Sequence, residues 1–267
     1  MKTTSVVPSP IDHQSVDEPH TAPTESAWKL LLRVGAVAAL AEIAIIVIQA
    51  PIFILYPQPT TVIGHFTQFQ SNWLLGLLDF DLTLILAEAF SVLILLALYV
   101  TLRQASPSLM VIALTLGLGG LVLFFAVNPT FSMLYLSDQY AAATTDAQRA
   151  AFLAAGEALS ANYNGTAFGL FFVFSGIAYI ITAVVMLRSG VFGKTTATVG
   201  ILMGVMMLVP PLPPLGMIGL ALSYIVIVPS AIWNILVALR LFQLSKGISN
   251  RDGSMLHARK IVIPAAR

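Results

Sequence analysis

The chain has 267 residues, 58% of them hydrophobic and only 9% charged, with a mean hydropathy of +0.90 and a formal net charge of +1. Soluble domains carry roughly 25% charged residues, so a water-soluble fold is excluded and the bilayer is the solvent. Cysteine is absent, which excludes disulfides, thiolate metal sites and cysteine nucleophiles.

Residues 1–27 are polar and punctuated by Pro8, Pro10, Pro19 and Pro23, which predicts a disordered tail. No apolar stretch follows Lys2, so this is not a signal peptide. His13 and His20 lie here without metal-ligand spacing, and they read as solvated side chains. The transmembrane domain is expected over 28–245 and a basic tail over 246–267.

The first span is predicted from Trp28 to Tyr56, with Lys29 and Arg33 snorkelling to one interface and Pro51 kinking or ending the helix. Gly35, Ala38, Ala39, Glu42 and Gln49 share one side. Small residues permit close helix contact and the two polar groups add hydrogen bonds, so this side faces the bundle. Residues 57–71 read as a polar loop whose only ionisable group is His65.

The second span enters near Asn72–Trp73 and leaves near Tyr99–Arg103. It carries Asp79, Asp81 and Glu88. Acids inside a membrane helix are costly and mark a functional site by default. Asp81 and Glu88 are seven apart and share a face that Ser91 continues, while Asp79 and Thr83 lie on another flank. Glu88 falls near mid-bilayer. Asp79 and Asp81 fall in the outer part, where lining a vestibule or plain solvation is expected.

A turn at 104–108 leads to a third span, about Leu109 to Val127, which Asn128-Pro129 kinks or stops. In the polar stretch Tyr135–Tyr163, Thr145-Asp-Ala-Gln148 reads as a capping box opening one extracytoplasmic interfacial helix; the alternative is a bent continuation of the third span. The fourth span, about Ala161 to Leu187, carries Gly165, Gly169 and Gly176 as a small-residue packing face. The fifth, about Thr195 to Val209, repeats that spacing with Gly200 and Gly204. Pro210, Pro211, Pro213 and Pro214 form a stiff turn. The sixth span runs from about Leu215 to Leu241 and is interrupted by Pro229.

With both termini cytoplasmic, 12 of the 13 Lys and Arg residues lie inside, and only Arg149 lies outside. This strong positive-inside asymmetry predicts an all-α bundle of six spans in the cell (inner) membrane.

Arg188-Ser-Gly followed by Gly200-Ile-Leu, with Arg33-Val-Gly, Tyr99-Val-Thr-Leu-Arg103 and Gly169-Leu-Phe-Phe172, resembles a family of uncharacterised six-span bacterial membrane proteins known only as a domain of unknown function. The likeness covers roughly 28–245. Members often have a histidine after the fourth-span phenylalanines, whereas this chain reads Val173-Phe-Ser-Gly-Ile-Ala-Tyr179. The resemblance implies a fold and a location, not a reaction.

Glu42 and Glu88 are expected at similar depth. A charged acid there costs about 2.5–3.5 kcal/mol on insertion scales, and no Lys or Arg stands at mid-span to pair with either. Two readings follow: a proton- or cation-binding pair in a small-solute carrier, or hydrogen-bonded carboxyls joining the first two helices. The competing class is a non-catalytic subunit whose glycine faces meet a partner protein or further copies of the chain. An intramembrane hydrolase is disfavoured, because Asp79 and Asp81 point apart and none of His13, His20, His65 and His257 lies in a span. No cofactor, no metal and no nucleic-acid partner is called for, and the lipid bilayer is the partner the composition demands. No three-plus-three repeat is visible, which counts against an inverted-repeat transporter.

Overall fold

A computed structural model describes residues 25–56, 58–210 and 225–261, and every regular element among them is helical. The elements are α1 (Glu25–Leu55), α2 (Val62–Ser71), α3 (Trp73–Leu77), a π-helical turn (Leu78–Leu82), α4 (Thr83–Leu102), α5 (Pro107–Val127), α6 (Thr130–Ala142), α7 (Asp146–Tyr163), α8 (Thr166–Ser189), α9 (Lys194–Met207) and α10 (Ile227–Ile261).

Among the described residues, five stretches are long and apolar enough to cross a bilayer: Trp28–Gln49, Trp73–Leu102, Pro107–Ala142, Asp146–Ser189 and Ile227–Gly247. A shorter apolar helix, α9, has 14 residues, about 21 Å at the α-helical rise. Apolar side chains such as Val37, Val47, Val122, Leu202 and Leu239 point outward from the bundle. Large outward apolar surfaces of this kind need a lipid solvent.

The bundle is built on the pairs α1–α4, α1–α10, α5–α8 and α8–α9. Close approach follows from small residues. A Cβ on Gly35 would collide with the Ala97 Cβ of α4, and one on Gly204 would lie 2.7 Å from the Gly176 carbonyl oxygen of α8. Leu32, Ala36, Ala39, Leu98, Trp233, Val237 and Leu241 fill the main core. At one end, Arg103 lies 5.0 Å from the centre of the Trp28 ring, and Arg240 of α10 donates to the Val191 carbonyl in the turn after α8. That turn opens at Gly190, whose φ of +64° is left-handed and suits glycine alone.

The opposite end carries a second layer that the sequence reading did not foresee in full. Residues 62–71 are a helix, not a polar loop. Thr61 caps it by accepting from the Gly64 amide, and Val62, Phe66 and Phe69 recur at helical spacing on its buried face. They form a small core with Leu77 and Met133 of the neighbouring helices. The expected interfacial helix is α7, opened by the capping box at Thr145 and Gln148. So three helices, α2, α6 and α7, cover this end where one was expected.

The third span stops at Val127 as expected, and α6 restarts after Asn128-Pro129. Other expectations shift. The fourth begins at Thr166, since α7 continues to Tyr163. Pro51 does not end α1, which runs on to Leu55. Pro229 sits in the first turn of α10, where its missing N–H costs no helical bond. Helix α10 also continues to Ile261, through most of the stretch read as a tail. The predicted tail over 1–24, most of the proline turn and the start of the sixth span lie outside the described residues.

Candidate functional site

The spans that carry the acids and those that pack around them enclose a cavity of about 1270 Å³. Its walls come from α1, α4, α5, α8, α9 and the start of α10, and its rim from the α2–α7 end of the bundle. Along α1 the lining residues are Glu42, Ile46 and Gln49, one helical stripe about 10 Å long. Along the second span they run from Asp81 through Leu84 and Glu88 to Ser91 and Leu95. Rim residues Gln58, Thr60, Thr61, Asn164 and Thr166 are exposed, so the cavity opens at this end. Among the described residues no Lys or Arg lines it, Arg33, Arg103, Arg188 and Lys194 included.

Glu42 sits at the deep end, 7% exposed. The Ser91 hydroxyl of α4 donates to its Oε1 at 2.6 Å, and the Asn234 amide of α10 donates to its Oε2 at 2.8 Å. Its carboxyl therefore joins three helices, not two. Buried acids need such donors, because an unsatisfied carboxylate oxygen in an apolar interior costs several kcal/mol. Tyr179 of α8 lines the cavity nearby and stacks edge-on against Trp233, with ring centres 5.2 Å apart.

Glu88 faces the same cavity and is partly accessible from it. No hydrogen-bond partner for its carboxyl occurs among the described residues. The two glutamates thus share a cavity but differ in state: Glu42 is held by donors, and Glu88 is presented to the space.

Asp81 lines the upper wall. Tyr163, the last residue of α7, donates its hydroxyl to Asp81 Oδ2, and Asn128 donates to the same oxygen at 3.3 Å. Asn128 in turn accepts from the Thr130 amide at the start of α6. The break at Asn128-Pro129 therefore does local work: it frees an amide side chain to reach the acid.

Asp79 requires a correction. The sequence places it towards outer water, but it is fully buried and takes no part in the cavity wall. Gln68 of α2 donates to its Oδ2 at 2.8 Å, and Gln58 donates to its backbone carbonyl. The cause is α2, whose presence covers the flank of the second span that would otherwise meet water. Thr83 lies one turn on and is buried on that flank as well.

The glycine faces divide in the same way. Gly176, Gly200 and Gly204 are consumed by packing inside the chain: Gly176 and Gly204 on each other, and Gly200 against Trp233 and Ala183. Gly165 caps α8, and its Cβ would meet only the carbonyls of Ala161 and Asn162 just before it, so it is not an interhelix contact. Gly169 lines the cavity.

The partners that sequence reasoning missed are Asn234, Tyr163, Tyr179, Asn128 and Gln68. An asparagine within an apolar stretch is a usable signal for the first, since polar side chains in spans seek partners across helices. Tyr163 and Gln68 lie in polar segments and carry no such mark.

Residues 28–244 match the family described as "Domain of unknown function (DUF4386)". The chain belongs to this family. No curated protein matches the chain, and no solved structure does. The DUF4386 region spans all the helices that line the cavity and ends shortly after Asn234.

Proposed function

We propose that this DUF4386 protein is a proton- or cation-linked carrier of small solutes, with Glu88 as the exchanging carboxyl and Glu42 as its fixed neighbour. The reading rests chiefly on one observation: a cavity of about 1270 Å³ enters the bundle from one end and has two glutamates in its depth. An acid that merely joins helices has no need of a cavity this large. Its size exceeds the roughly 300–1,000 Å³ typical of small-molecule sites, so there is room for a solute and water together.

The distribution of basic residues supports an orientation. Twelve of 13 Lys and Arg fall on one side of the six-span topology, which supports cytoplasmic termini in an inner-membrane protein. The cavity mouth, at the end bearing Arg149, then faces outward. The competing reading, a subunit that presents its glycine faces to a partner, loses support because Gly176, Gly200 and Gly204 pack within the chain.

The test is infrared difference spectroscopy of the reconstituted protein during a pH change. The expected result is a carboxyl band that responds to pH, is missing from Glu88→Gln and survives in Asp79→Asn. A Glu88 band that does not respond to pH or to sodium would reject the reading.

A further inference from the structure

The chemistry of the cavity wall narrows the solute. Three carboxyl-bearing residues line it, Glu42, Asp81 and Glu88, and among the described residues no Lys or Arg does. An anionic or zwitterionic solute would find no cationic partner for its acid group, and burying such a group unpaired is costly. As the transported solute, a bare calcium ion is also a poor match, since calcium sites are close oxygen cages, not spaces of this volume.

The rest of the wall is aromatic and apolar. Phe168 and Phe172 lie edge to face with ring centres 5.0 Å apart, and Tyr163 lies tilted against Phe168 with centres 4.5 Å apart. All three line the cavity. Tyr163 is also the residue that donates to Asp81, so the aromatic group and the acid are joined at one place. Phe80 lines the same cavity. Aromatic faces attract organic cations through the ring quadrupole, by more when water is excluded. Acid, aromatic surface and volume therefore coincide.

We propose that the cavity takes a lipophilic organic monocation, a substituted ammonium or a similar onium ion. Its charge sits between Glu88 and Asp81, and its apolar body rests against Tyr163, Phe168 and Phe172. This rests on the carrier reading, and it names the solute class for the same cavity.

The experiment uses a pair of probes of the same shape and opposite charge, tetraphenylphosphonium and tetraphenylborate. Binding of each to the full chain in lipid nanodiscs is measured by equilibrium dialysis against empty nanodiscs, which correct for partition into lipid. The expected result is saturable binding of the phosphonium, about tenfold weaker in Glu88→Gln and weaker at low pH, with none for the borate. Phe172→Leu should weaken it as well, and Asp79→Asn should leave it within about twofold. If Glu88→Gln fails to fold, Asp81→Asn and Phe172→Leu carry the test. Borate binding as tight as phosphonium binding, or phosphonium binding that none of the cavity variants weakens, would overturn the proposal.

The two readings fail separately. A pH-responsive Glu88 band without phosphonium binding sinks the solute class and leaves proton exchange standing. Phosphonium binding with a silent Glu88 band leaves a cation site that is not coupled to protons.

Discussion

Asn234 and Glu42 are 192 positions apart in the chain, and the amide of one donates to the carboxyl of the other at 2.8 Å. With Ser91 on the second oxygen, this contact ties the last span to the first and the second. Interhelical hydrogen bonds in membranes average about 0.6 kcal/mol and reach about 1.7. Asn234→Leu and Ser91→Ala are each expected to cost about 1 kcal/mol, read by unfolding in mild detergent. A double-mutant cycle of Glu42→Gln with Asn234→Leu should return a coupling of similar size. A coupling near zero would mean that the contact contributes nothing to stability.

Gly204 and Gly176 let α9 and α8 touch through their backbones. A Cβ at Gly204 would lie 2.7 Å from the Gly176 oxygen and 2.7 Å from a side-chain carbon of Ile180. Gly204→Leu should therefore cost about 1–3 kcal/mol through overpacking. Gly119 gives the control. Its Cβ would have ordinary contacts, 3.7 Å at the nearest, with Phe174, so Gly119→Ala should change stability by less than about 0.5 kcal/mol. Equal losses in both variants would show that glycine itself, not this crossing, is what the fold requires.

His65 makes the α2 layer sensitive to pH. Burial against Phe80 lowers its pKa from the ordinary 6.5, because the charged form loses water. As pH falls, the unfolded chain takes the proton first. The stability His65 contributes is therefore complete above about pH 6.5 and is lost as pH falls through the lower folded value. Hydrogen exchange in α2, corrected for intrinsic rates, should speed up at low pH in the native chain and lose that dependence in His65→Asn. An unchanged slope in the variant would assign the effect to another group.

Thr145 and Gln148 form a reciprocal cap at the start of α7. The Gln148 amide donates to the Thr145 hydroxyl at 3.2 Å, and the Gln148 side chain accepts from the Thr145 amide at 3.2 Å. Thr145→Ala should cost about 1 kcal/mol, confined to α7 and visible as faster exchange over 146–163. Loosening of α1 or α10 in the same variant would contradict that confinement.

The spans were legible because lipid imposes a simple rule: apolar runs of sufficient length must be helices that satisfy their own backbone. The inward side of the first span could be read from Gly35, Ala38, Ala39 and Glu42, whose sizes and spacing state their direction. So could the face shared by Asp81, Glu88 and Ser91. Helix α2 was hidden by composition: Thr67, Gln68 and Gln70 make the segment look like a loop, and only Val62, Phe66 and Phe69 give the period away. The partners of Glu42 could be read only in part. Ser91 stands on a polar face, but nothing local links Asn234 to a residue of the first span. Asp79 was misplaced because its burial depends on that unseen helix.

The π turn at Leu78–Leu82 carries a further consequence. A π turn holds an extra residue compared with an α-helix of similar rise, so the segments on either side of it run in different angular phase. Trp73–Leu77 is phased to α2, where Gly76 lies against Phe69, while Thr83–Leu102 is phased to the lipid-embedded core. Removing one residue from the turn would restore a uniform helix and rotate the short end by about 100°. Gly76 and Leu77 would swing away from α2, while Glu88 and Ser91 stayed where they are. A one-residue deletion at this point would thus uncouple the α2 layer from the bundle and leave Thr83–Leu102 in register.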